Sequence, residues 1–227
     1  NGLCRVSLLE VDPNLEGVRD LAGYQVVHKM VSENSKHRRD LVYRNAADNP
    51  PLTVLPKRVA NDEPQPLIIV LHGYGGSSAG FEEIWGPAAE RIDAILVVPE
   101  GPRPIGNGRG WVDPDEADAV VEATIDYARE RFEIDWDRVV LTGFSEGGFM
   151  AMALGNRHPE IFAGVIPVAG RYVAEFDAPP KAIAGSPRFY FMVGSLDRVA
   201  KDVRSAASDY RAAGYEVDFR MFPETGH

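Results

Sequence analysis

The sequence predicts an α/β fold, a mostly parallel central sheet with helices on both faces. Three observations carry that expectation. From residue 67 onward, short apolar runs alternate with longer stretches of helical periodicity, the pattern of strands joined by crossover helices. Runs such as Leu67-Ile68-Ile69-Val70-Leu71 are apolar at every position, as expected of a strand buried on both faces. Finally, the pentapeptide Gly143-Phe144-Ser145-Glu146-Gly147 stands where one such run hands over to a helix.

Residues 1–38 match no recognisable pattern and are expected to be an N-terminal extension, either an extra strand layer or the remnant of a preceding domain. Within and after them, residues 24–31, 39–44 and 53–59 read as strands, the last two separated by Asn49-Pro50-Pro51. Residues 61–66 read as a polar turn, since Asn, Asp and Pro punctuate regular structure. Strands are then expected at 67–71, 94–98, 138–142, 162–168, 188–193 and 216–222. Helices are expected at 78–91, 115–132, 147–157 and 199–213. One domain, residues 39–227, takes in this whole alternation.

Composition narrows the function classes. The 227 residues include 44% apolar side chains, enough for a large core. A net charge of −10 argues against a nucleic-acid partner, because phosphates require a basic surface. The lone cysteine, Cys4, cannot form an internal disulfide and reads as inert. No apolar stretch is long enough to span a bilayer. The expectation is a soluble protein, cytoplasmic or secreted with its signal removed; the oligomeric state stays open.

In open parallel sheets the reactive site lies beyond the carboxyl ends of the strands. Ser145, His72, Asp197 and His227 all fall at such ends. The glycines flanking Ser145 permit a very tight strand-to-helix turn that exposes its hydroxyl. A serine hydroxyl needs a base to take its proton and a third group to orient that base. The order Ser, acid, His along the chain points to Asp197 and His227. His158 is a rival base, but ten residues of helix would carry it about 15 Å from Ser145, at roughly 1.5 Å per residue. Asp202 is a weaker rival acid, inside a helix rather than at a strand end. The Gly-rich loop His72-Gly73-Tyr74-Gly75-Gly76 can turn backbone N–H groups toward a substrate, and the N–H groups of Tyr74 and Glu146 are the expected oxyanion donors.

These motifs, together with Ile134-Asp135-Trp136-Asp137-Arg138-Val139, Gly194-Ser195-Leu196-Asp197 and Gly226-His227, resemble an α/β-hydrolase fold serine esterase. The likeness is to the compact group of carboxylesterases, polyhydroxybutyrate-depolymerase-like and feruloyl-esterase-like enzymes, and it covers roughly residues 39–227. It implies cleavage of carboxylic esters through an acyl-enzyme, on a small-molecule or polymer ester, with no metal and no cofactor. It also implies no large lid domain, since residues 170–187 leave no room for one. A serine peptidase on the same fold, or a non-catalytic binding module, are the alternatives.

Other residues carry plainer readings. Asp197 could also cap the helix that follows it. His72 is expected to brace the glycine loop, and His28 and His37 to lie on the surface without partners. The acidic set Asp113, Asp115, Glu116 and Asp118 suits the first turn of a helix better than a metal. Trp111 is weighed evenly between lining the substrate cleft and packing, with Tyr172 a weaker cleft candidate.

Overall fold

A computed structural model of the chain describes residues 9–10, 13–57, 63–172 and 178–227. Nine strands and five α-helices are seen among them, after a short 3-10 turn at Pro13–Val18. The strands are β1 (Leu52–Val54), β2 (Gln65–Leu71), β3 (Ile95–Val98), β4 (Arg103–Ile105), β5 (Gly108–Gly110), β6 (Ile134–Phe144), β7 (Gly164–Val168), β8 (Arg188–Gly194) and β9 (Val217–Phe222). The helices are α1 (Ala22–Asp48), α2 (Phe81–Arg91), α3 (Pro114–Arg131), α4 (Glu146–Arg157) and α5 (Ala200–Ala212). Seven strands form one sheet in the order β1-β3-β2-β6-β7-β8-β9. Only β1 runs antiparallel to its neighbour; all other pairs are parallel.

Strand β2 is buried along its whole length, and its apolar residues from Leu67 to Leu71 divide between two cores. Leu67, Ile69 and Leu71 face the larger core with residues of α3, α4 and α5. Ile68 and Val70 face the smaller one, where Ala89, Phe81 and Trp85 of α2 pack. Period-two alternation of a strand therefore places helices on both faces.

The N-terminal third corrects the sequence reading. Residues 24–31 and 39–44 are not strands; both belong to α1, which also runs unbroken through the expected domain start at 39. The β-branched and aromatic residues there favour strands locally, but tertiary contacts override that preference. The inner side of α1 meets the acidic side of α3. Arg38 pairs with Glu116, Arg39 with Asp118 (3.2 Å) and Glu122 (2.6 Å), and Tyr43 donates to Asp126 (2.8 Å). Val42 and Ala46 reach the larger core. Of the strand expected at 53–59, Leu52–Val54 is present and 58–59 lie outside the described residues. Of the turn expected at 61–66, Gln65 and Pro66 already belong to β2, and 61–62 lie outside the described residues.

The remaining elements fall where expected, with β6 extended at both ends. The β4–β5 hairpin is new to the reading. Its strands are three residues each, too short to show alternation. It is held to the glycine loop by a bridge between Arg109 and Gly76. No described helix is long and apolar enough to cross a membrane.

Candidate active site

Ser145 occupies the turn from β6 into α4 with φ 56° and ψ −114°, a left-handed conformation that a non-glycine residue adopts only under constraint. The constraint is visible on both sides. A Cβ on Gly147 would lie 2.2 Å from the carbonyl oxygen of Leu71, and one on Gly143 would lie 2.3 Å from that of Gly147. The turn can close on itself and lie against the end of β2 only with glycine at both places. The N–H of Ser145 donates to Val168 at the end of β7 (2.8 Å), and its carbonyl accepts from Phe149 (3.1 Å), which fixes the residue from both directions.

Asp197 follows β8, and its side chain has no exposed surface. Its two oxygens do different work. Oδ1 accepts the N–H of Val199 at 3.0 Å, at the start of α5, and Oδ2 lies 2.8 Å from Nδ1 of His227. Asp197 thus tethers the residue before α5 and faces His227, while the N-cap of α5 is Val199, with no side-chain cap. The loop after β9 lies against the β8 loop: Ser195 donates to Phe222 (2.8 Å) and Leu196 to Thr225 (2.9 Å). These bonds deliver His227 to its place, with Nε2 at 2.8 Å from the hydroxyl oxygen of Ser145. Its ring also packs against Phe144, centroid to centroid 4.9 Å. Three side chains distant in sequence thus form one hydrogen-bonded line from Asp197 through His227 to Ser145.

The rival residues lie elsewhere. His158 caps the far end of α4 and faces Asp118 at 2.6 Å. That bond raises the pKa of His158 against the opposing effect of burial. Burial works against the charge of Asp118 too, but bonds from His158 and Arg39 hold its carboxyl below the ordinary range. Asp202 lies in the first turn of α5.

The glycine loop folds beside Ser145. A Cβ on Gly73 would stand 3.5 Å from that of Ser145. His72 is buried, and burial pushes its pKa down although the Gly73 carbonyl and Glu100 pull the other way. It is a neutral ring: Nδ1 donates to the Gly73 carbonyl (2.8 Å) and Nε2 accepts the N–H of Gly101 (3.0 Å). Because that lone pair is engaged, Glu100 at 3.6 Å forms no ion pair with it. The ring braces the loop, as expected. The Tyr74 side chain is exposed. Among the described residues, neither Tyr74 nor Glu146 donates its backbone N–H to a turn or loop carbonyl.

Trp111, weighed evenly between cleft and packing, and Tyr172, the weaker cleft candidate, are both buried in the core. Trp111 has 0% exposure and donates its indole N–H to the His72 carbonyl (2.8 Å). Tyr172 is also buried, and its hydroxyl donates to Asp209 (2.7 Å). The sequence shows an aromatic residue before a helix; only the hairpin's fold decides that Trp111 turns inward.

Two features escaped the sequence. The Glu146 carboxylate accepts the backbone N–H groups of Trp111 (2.9 Å) and Val112 (3.1 Å). Val112 has φ 48° and the N–H of Asp113 donates to the Trp111 carbonyl, a γ-turn centred on a β-branched residue. Such a conformation costs about 1–3 kcal/mol and persists only where its surroundings impose it. The acidic set of α3 is also more than a dipole partner. Asp113 caps the helix by accepting from Asp115 (2.9 Å). Glu116 accepts from Arg38 and, at 2.5 and 2.6 Å, from Arg103 of β4. His28, expected to stand alone, meets Glu10 at 3.0 Å.

Comparison with known proteins identifies the family of the fold. The model of the alpha/beta hydrolase fold family matches residues 66–213. NocK of Nocardia uniformis subsp. tsuyamanensis, whose name assigns it provisionally to the esterases, is 32% identical over 170 residues, 70% of this chain and 47% of that protein. Poly(3-hydroxyalkanoate) depolymerase C of Paucimonas lemoignei is 28% identical over 139 residues, 56% of this chain and 33% of that one. This chain therefore spans about half of one relative and a third of the other. Among solved structures, a ferulic acid esterase superposes with a TM-score of 0.64 at 17% identity, covering 77% of this chain and 84% of that one. At that identity the likeness speaks to the fold.

Proposed function

On the premise that this chain belongs to the alpha/beta hydrolase fold family, we propose that it is a serine esterase, cleaving carboxylic esters through an acyl-enzyme. The observation that carries the reading is the line of two 2.8 Å contacts, Asp197 to His227 and His227 to Ser145. Each contact lies within the reach that proton transfer and base orientation require.

In this mechanism Ser145 Oγ attacks the ester carbonyl carbon while its proton passes to His227 Nε2. The Asp197 carboxylate keeps the proton of His227 on Nδ1 and stabilises the imidazolium that forms. The tetrahedral intermediate places its negative oxygen toward the N–H groups of Tyr74 and Glu146. The start of α4 adds its positive end there. Each such donor contributes about 3–4 kcal/mol in enzymes of this kind. His227 then protonates the alkoxide, the alcohol leaves, and water repeats the sequence on the acyl-enzyme. Only these side chains, backbone amides and water take part. The two relatives named for esterase and polyester-depolymerase activity support ester substrates over amides.

A panel of p-nitrophenyl and aryl esters of increasing acyl length, assayed with the native protein and Ser145→Ala, tests the reading. Ester turnover lost in the variant is the expected result. Turnover retained by a folded Ser145→Ala protein overturns it.

A further inference from the structure

Glu146 follows the proposed nucleophile, and its backbone N–H is one of the two proposed oxyanion donors. Its side chain points elsewhere, with Oε2 accepting from Trp111 and Oε1 from Val112. Trp111 is fully buried and donates its indole N–H to the carbonyl of His72. His72 opens the glycine loop that carries Tyr74, the other proposed donor. A continuous set of bonds therefore joins the helix of Ser145 to the loop facing it, through a turn encoded thirty-five residues earlier than Glu146.

We propose that the Glu146 carboxylate is a positioning residue: by holding the Trp111–Val112 turn in its left-handed form, it sets the spacing of the Tyr74 and Glu146 N–H groups. The proposal rests on the esterase reading above. Its physical basis is the match of group to task. Two N–H groups converge on one side chain, and an ionised carboxylate accepts at both oxygens. A glutamine offers one acceptor and one NH2, which would confront the second N–H. Val112 gives the clamp something to hold, because φ 48° is a strained conformation for a β-branched residue. The two donors also draw the negative charge of Glu146 onto the 111–112 turn, away from the oxygen that becomes an oxyanion.

The test separates positioning from simple stability. An oxyanion pocket acts in the transition state and not in ground-state binding, so misplacing a donor lowers kcat with little change in KM. We expect Glu146→Gln to lower kcat for a p-nitrophenyl ester by about tenfold or more, with KM within about threefold. Val112→Gly removes the strain that the carboxylate restrains. In that background the same Glu146→Gln change should cost less than about threefold, because the turn no longer needs its tether. A Glu146→Ala pair measured the same way reads the same coupling should the glutamine variant fail to fold. A loss that appears in KM, a loss of equal size in both backgrounds, or no loss in the native background overturns the proposal. Absence of Ser145-dependent turnover in the native protein would instead remove the esterase reading on which it stands.

Discussion

Replacing Asp197 by asparagine should separate activity from stability. The side chain is buried without exposed surface, and its two oxygens have one partner each. In asparagine the amide oxygen can keep the Val199 N–H at the start of α5. The NH2 then faces His227, and because it only donates, Nδ1 must be bare. The histidine proton moves to Nε2, which donates to Ser145 instead of accepting its proton. The nucleophile loses its base while every element stays in place. The expected loss in kcat is about ten-thousandfold, by analogy with the same exchange in a serine protease, or about 5 kcal/mol of barrier. Stability should change little, whereas Asp197→Ala, which also loses the bond from the Val199 N–H, should cost about 1 kcal/mol more. Initial rates on a p-nitrophenyl ester and urea unfolding of both variants give the two quantities. An asparagine variant within about tenfold of the native rate would refute the reasoning, since a base in the wrong tautomer cannot support that turnover.

Further expectations concern the frame around the site. Glu116 has a 3% exposed side chain, while its partners Arg38 and Arg103 are 40% and 34% exposed. Breaking a buried pair costs about 3–5 kcal/mol, but these guanidinium groups recover water, so Glu116→Ala should cost about 2 kcal/mol by urea unfolding. A shift below about 0.5 kcal/mol would show that the tie between α1 and the β4–β5 hairpin contributes nothing. The His158–Asp118 contact gives a pH signature. His158 faces Asp118 and Glu160, with Arg157 beside it opposing its charge, and its folded pKa is raised. The folded state thus holds the proton more tightly than the unfolded chain. The stabilisation is complete below the unfolded value of about 6.5 and is lost as pH rises through the folded pKa. Thermal melts from mildly acidic to mildly alkaline pH should show that decline in the native protein and a flatter profile in His158→Gln; identical profiles would exclude the contact as its source.

How much of this was legible in the sequence depended on how local each determinant is. The Ser145 turn is encoded in five residues, since two glycines and a flanking apolar run dictate the geometry without help from elsewhere. The parallel strands were legible for a similar reason: β2 is apolar at all six positions after Gln65, counting Pro66, and a run like that has nowhere to go but a buried sheet. The order of Ser145, Asp197 and His227 pointed to their meeting because each ends or follows a strand of one sheet. Helix α1 was misread because its stabilising partners lie some eighty residues away on α3; Val26, Val27 and Met30, which suggested a strand, are exposed on its outer side. Trp111 could not be placed from its neighbours, because a hairpin too short to show periodicity turns it inward. The Glu146 carboxylate was silent for a related reason: its partners are backbone N–H groups, which carry no side-chain signature.

The central claim is that Ser145 is an activated nucleophile, and covalent trapping tests it most directly. A fluorophosphonate reacts with a serine whose proton a neighbouring base removes, and peptide mass spectrometry locates the adduct. The account predicts one adduct per chain, on Ser145, abolished by Ser145→Ala and strongly slowed by Asp197→Asn. A folded native protein that gains no adduct, or that labels elsewhere at an unchanged rate after Ser145 is replaced, would contradict it.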